Sequence, residues 1–160
     1  MDQESQERSG SSGFSAQTLN LLRSAGWSPE RAVDIGRYVQ ALETEGYEVF
    51  PVVETFLRRF GGLEIAYPIN FHSQSLTNSI HFDAAAAAAA VDNEGYVSKY
   101  AERIGVPVCV IGEADNRSTT LMMDQEGRVY GGFDDYLSFY GETGEQAIEH
   151  IIGRQNIKRL

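Results

Sequence analysis

Residues 55–64, TFLRRFGGLE, run an amphipathic stretch straight into two glycines, and the apolar pattern resumes on Leu63 and Ile65 with no polar linker between. A chain that does this has to fold a helix back onto whatever comes next. Upstream, Pro51 suits a first helical turn, and Val52, Val53, Phe56, Leu57 and Phe60 recur at helical spacing. Gly61 is expected to close that helix in the left-handed conformation, with Arg58 and Arg59 beside its negative end. Leu63, Ile65 and Tyr67 then alternate like a half-buried strand. The fold must therefore pack a helix against a sheet within one tight turn.

The remaining pattern extends the same theme. Phe14, Leu19, Leu21 and Leu22 predict a helix ending at Gly26. Ser28–Pro29–Glu30 reads as a helix start, carrying Val33, Ile35, Tyr38, Val39 and Leu42 as far as Gly46. Ser79–Phe82 alternates as a second strand. Asp83 before the alanines at 84–90 reads as an N-cap on a helix of the best helix former. That helix loosens around Asp92–Gly95, resumes through Tyr96, Val97, Tyr100 and Ile104, and stops at Gly105 and Pro107. Val106–Ile111 is a continuous apolar strand. Thr119–Met123 and Arg128–Gly132 flank DQEG as a hairpin with Gly127 at its turn. Phe133–Tyr140 fits either a strand or an irregular loop, and Glu145–Ile152 closes with a helix. This order gives an α+β class, with helices packed on a twisted, mainly antiparallel sheet.

At 160 residues the chain is long enough for one domain with a real core. Residues 14–153 form that domain, between a polar, Ser/Gly-rich tail at 1–13 expected to be disordered and a basic tail at 154–160. No apolar run reaches the roughly 20 residues of a membrane span, and the start MDQESQERSG does not read as a signal peptide. A single cysteine, Cys109, leaves no internal disulfide, and a cytoplasmic setting is expected. Net charge is −10, with 14 acids against 4 bases in residues 61–153. A field of that sign repels nucleic acid and attracts a basic partner. Solubility alone is the plainer explanation.

No catalytic constellation stands out. His72 lies in the polar stretch NFHSQS, expected as a loop, and His150 is expected as an exposed helical residue. His81 and Asp83 share a face but are too few for a metal, and no HxxxH or HxH spacing adds to them. Cys109 in VPVCVI reads as a buried, inert thiol. Ser9, Ser11 and Ser12 lie in the tail without a GxSxG. The glycines of YGGF and FGGL match neither GxGxxG nor a P-loop and read as turns. Trp27, between a glycine and a helix start, reads as a core residue. No cofactor or metal is expected, which favours binding over catalysis.

AGWSPERAVDI, ALETEGYEV, FLRRFGGLEI, HFD before the alanines, YAERIGVPVCVIGE and MDQEGRVYG occur in that order. Together they resemble the third subfamily of the SUKH superfamily, bacterial proteins related to a yeast regulator of cell-wall synthesis. The likeness runs from about Gly26 to Ile152, with Ala84 standing where the family often has proline. It implies an immunity protein that binds and blocks a cognate toxin domain, frequently a nuclease or deaminase, and carries no catalytic residues of its own. The expected state is a monomer or weak homodimer, free of membrane. The acids and aromatics of the second half are the expected contact set: Glu113, Asp115, Asp124, Glu126, Asp134, Asp135, Tyr136, Tyr140 and Glu142. Two other readings stand beside it. One is a scaffold module with cellular partners; the other is a small enzyme using His81, which requires His72, His81 and an acid in one cleft.

Overall fold

The computed structural model describes residues 13–160. Of the expected tail, all but Gly13 lies outside the described residues, as do Ser9, Ser11 and Ser12. Helix α1 spans Ala16–Ser24, with the Ser15 hydroxyl accepting the Thr18 N–H at its start. Helix α2 spans Gly36–Thr44, later than expected. The Ser28–Pro29 segment makes only a turn, closed by the Arg31 N–H on the Ser28 carbonyl at 3.1 Å, and the chain beyond it bonds elsewhere. The Val33 N–H donates to the Arg58 carbonyl at 2.8 Å. The Arg31 guanidinium donates to the Gly61 carbonyl at 2.7 Å. Asp34 accepts the Gly36 N–H at 2.9 Å, where α2 begins. Residues 28–35 thus act as a strap across the end of the next helix.

That helix, α3 at Pro51–Phe60, has proline in its first turn and buries Val53, Phe56, Leu57 and Phe60. Trp27 stacks on Phe60 at 5.8 Å, Phe14 meets both edge-on, and Phe56 packs against Phe60 and Phe82. Trp27 is a core residue, as expected. The two glycines divide their work differently from the expectation. Gly61 has φ −58°, and it is Gly62, at φ +84°, that takes the left-handed turn. Gly61 is needed for space: a Cβ there would stand 2.4 Å from the Leu57 carbonyl oxygen. The Gly62 N–H donates to the Phe82 carbonyl, and the Phe82 N–H to Leu63, which fastens the turn to the sheet.

The sheet has seven antiparallel strands in chain order: β1 Glu64–Phe71, β2 Gln74–His81, β3 Val108–Ala114, β4 Thr119–Asp124, β5 Val129–Phe133, β6 Tyr136–Gly141 and β7 Lys158–Arg159. Between β2 and β3 come α4 (Ala84–Ala90), a π-helical turn (Asn93–Val97) and α5 (Ser98–Ile104). Asp83 caps α4 by accepting the Ala86 N–H at 3.0 Å, and Gly105 ends α5 at φ +92°. The alanine helix packs on both β3 and α2, close approaches that small side chains permit. Helix α6 (Gly144–Gly153) is capped by Thr143 and leads to β7, so part of the expected basic tail is paired with β6. The α+β class is as read from the sequence.

Strands β3 and β4 are buried along their whole length. Phe56, Phe82, Ile111, Leu121, Val129, Ile148 and Ile151 fill the space between α3, α6 and the sheet. The YGGF glycines, expected at a turn, stand inside β5. Neighbouring strand residues point to opposite faces. A Cβ on Gly131 would meet the Tyr140 ring at 2.1 Å, and one on Gly132 the Tyr100 ring at 2.4 Å. An aromatic ring therefore packs against each of the two glycines, from opposite faces of the sheet. The sheet is much less continuous at one joint: β2 and β3 share the single registered pair His81↔Glu113.

Candidate functional site

In an antiparallel meander the turns alternate between two ends of the sheet. The β1–β2, β3–β4 and β5–β6 turns share one end, and the β4–β5 turn lies at the other with the close of β6. The expected contact residues are thereby divided. Asp115, Asp134, Asp135 and Tyr136 fall at the first end and are exposed; Glu126 and Glu142 are exposed at the second. Three of the nine are not surface residues. Asp124 is 1% exposed and holds the β4–β5 turn together, accepting the Glu126 and Arg128 N–H groups and the Tyr130 hydroxyl. Tyr140 is buried over Gly131, and burial raises its hydroxyl pKa. Glu113 is buried beside the β2–β3 joint. Burial raises its pKa, against the pull of Arg117, 3.5 Å away, and of His81.

The exposed members differ in how far their charge is free. Arg128 bridges Glu142 at 3.0 Å and Glu126 at 3.6 Å, so the two acids of the second end share one cation and are only partly neutralised. At the first end Asp115 is tied to Asn78 and Thr119 by hydrogen bonds of 3.0 and 2.8 Å. The backbone carbonyls of Asp134 and Asp135 accept from Tyr100 and Arg103. Tyr136 carries the Arg159 guanidinium over its ring at 4.2 Å.

A denser acidic surface lies where the sequence reading did not look. The Asn93 side chain donates to the Glu45 carbonyl at 2.9 Å, bringing residues 43–48 against the π-helical turn. Glu43, Glu45, Glu48, Asp92 and Glu94 are all exposed there. Among the described residues none of the five forms an ion pair. Tyr47 is buried behind them, and its hydroxyl, which has no hydrogen-bond partner among the described residues, has its pKa pushed up by burial and then by Cys109, Glu45 and Asp92.

Chemically reactive groups do not converge. His72 stands in the β1–β2 turn and His81 at the far end of that hairpin, so the two histidines share no cleft. His81 Nε2 lies 2.9 Å from the Ser79 hydroxyl and 3.9 Å from Glu64. Both contacts fall on one nitrogen, whereas a serine relay places the carboxylate on the other. The Cys109 thiol is fully buried and its pKa is raised to about 12 by desolvation, which disfavours the thiolate. His150, expected to be exposed, is half-buried and donates from Nδ1 to the Tyr140 carbonyl at 2.6 Å. Among the described residues no group of His, Cys, Asp and Glu is placed to hold a metal ion, and no helix is long and apolar enough to cross a membrane.

A further exposed feature belongs to the first end of the sheet. Residues 65–80 contain no Asp, Glu, Lys or Arg. The expected NFHSQS loop is in fact a two-residue turn, His72–Ser73, both at positive φ, joining two eight-residue strands. Its outer half carries Phe71 at 54% and Leu76 at 43% exposure.

The SUKH-3 immunity protein family matches this chain over residues 14–154, from the start of the aromatic core to the end of α6. Comparisons with curated proteins and with solved structures give no match. With that span covering nearly all of the described fold, the chain belongs to the SUKH-3 immunity protein family.

Proposed function

We propose that this protein neutralises a cognate toxin domain by binding it one-to-one through direct contact, the toxin being a nuclease or deaminase with a basic surface. The single observation that carries the reading is the family match over residues 14–154, since membership supports an immunity role and an immunity role requires a toxin partner. Charge supports the basic partner. The chain carries −10 overall, and its acids at Glu43, Glu45, Glu48, Asp92 and Glu94 form no ion pair among the described residues. Enzymes that act on nucleic acid present basic clefts, and an opposed acidic face speeds their capture and blocks like-charged substrate. The acids at Asp115, Asp134 and Asp135 supply a second, smaller negative surface.

The test is calorimetric titration of the full chain with any toxin domain encoded beside its own gene, at about 50 and about 300 mM salt. One-to-one binding that weakens at the higher salt is expected. Reversing Glu45 and Asp92 to lysine together should weaken it by about tenfold or more, and the Asp134→Lys, Asp135→Lys pair by less. Absence of binding, together with absence of protection when the two genes are co-expressed, overturns the reading. Capture of housekeeping proteins alone, in a pull-down from lysate with the full chain as bait, favours the scaffold alternative.

A further inference from the structure

We infer that the outer half of the β1–β2 hairpin is the anchor of the toxin contact, an apolar arm that enters a cleft with an apolar floor and a basic lip. This rests on the toxin-binding reading and assigns its central surface. Registered pairing puts Ile69 opposite Leu76, and alternation puts Phe71 on the same face. That face continues the line of Ile65 and Tyr67, which are buried in the core, past the edge of the sheet. The core therefore runs out into solvent along one ribbon. Its base is fixed: the Asn78 amide donates to Asp115 at 3.0 Å and the Asn116 amide to the Thr77 carbonyl at 3.3 Å. Beyond Thr77 the arm pairs only with itself, projecting roughly 13 Å at about 3.4 Å per residue.

Three observations select the occupant. The arm has no charge to desolvate, in a chain where 22% of residues are charged, so inserting it into a protein cleft strips no ionised group of its water. The neighbouring β3–β4 turn carries Asp115 against the arm's base, in a chain of net charge −10, which fits a basic lip around an apolar floor. A second copy is disfavoured, because two chains of −10 repel. Pro68, within β1, removes a backbone donor from this edge strand, so the arm docks by its side-chain face and not by adding a strand to another sheet.

The experiment titrates the full chain, wild type and variants, with an inactivated form of the toxin domain encoded beside its gene, and follows melting of the free chain in parallel. Phe71→Ser with Leu76→Ser should weaken binding by about 100-fold while the melting temperature barely moves. Leu76→Lys alone, on the other strand, should weaken it by about tenfold or more. Ile157→Ser with Leu160→Ser, at exposed apolar residues away from the arm, should bind as wild type does. If wild type binds and both arm variants bind equally well, the arm assignment fails and the toxin-binding reading stands. If wild type does not bind, the functional reading fails first. A wild-type dimer in sedimentation that the arm variants abolish would assign the face to a second copy and overturn the inference.

Discussion

The β1–β2 hairpin and the β3–β4 hairpin start from similar material and end in opposite conditions. Both are antiparallel pairs with turns at the same end of the sheet. In β3 and β4 every strand residue is buried, because helices and the sheet's own curl cover both faces. In β1–β2 only the inner half is buried, in β1 on one face alone, and the outer half is bare. Apolar residues in the central pair are spent on stability; Phe71 and Leu76 are left for something else. The difference teaches that in this fold exposure of an apolar side chain, more than its presence, marks a surface available to a partner.

The comparison is sharpest with one residue type in two places. Leu121, in β4, is fully buried, and Leu76, in β2, is 43% exposed. Leu121→Ala should lower unfolding free energy by about 2–5 kcal/mol, through lost burial and the cavity left behind. Leu76→Ala should change it by no more than about 0.5 kcal/mol. Urea unfolding of the two variants checks the pair. Similar losses would mean the arm is packed in solution and would erase the distinction.

A second pair sets one expected contact acid against another. Asp124→Ala strips the β4–β5 turn of its acceptor for two backbone N–H groups and the Tyr130 hydroxyl, and should cost about 2–3 kcal/mol. Asp135→Ala, at an exposed side chain beside the β5–β6 turn, should stay within about 0.5 kcal/mol. Thermal melts distinguish the two. An equal effect would break the division between turn-holding and surface acids.

These residues also show which parts of the fold the sequence made readable. Local signals were legible: the Asp83 cap, the Gly105 stop, the DQEG hairpin and the helix-to-strand crossing at Gly61–Gly62 each depend on a few adjacent residues. Signals failed where a distant partner decides. Ser28–Pro29 has the look of a helix start, yet Val33 and Arg31 bind the end of α3 instead. Asp124, Glu113 and Tyr140 look like surface groups in sequence, but the curl of the sheet encloses them. Gly131 and Gly132 read as a turn because nothing local announces the rings of Tyr140 and Tyr100. The acidic surface joins residues 43–48 to 92–94, which only the Asn93 bond to Glu45 brings together. The arm was hidden because polar residues at its tip mask the alternation of Ile69 and Phe71.

The smallest expected effect tests the joint between the two hairpins. Glu113 faces His81 across the single β2–β3 pair, with Arg117 at 3.5 Å and Asp83 adding a like charge. Burial raises its pKa in the folded state, so folding favours the protonated form. The stability that this shift contributes is fully present below the unfolded carboxyl range and is lost as pH rises through the folded value. Above it, ionised Glu113 is a net burden on the fold. Glu113→Gln removes that burden while keeping shape. The variant should exceed wild type near neutral pH, by less than either pair above, and the gap should close as pH falls toward about 4. Urea unfolding at the two pH values reads this directly. A variant weaker than wild type at neutral pH would mean that the pair with Arg117 outweighs desolvation. That pair lies within the β3–β4 hairpin, so charge would then brace the turn whose Asp115 and Asn116 hold the arm's base.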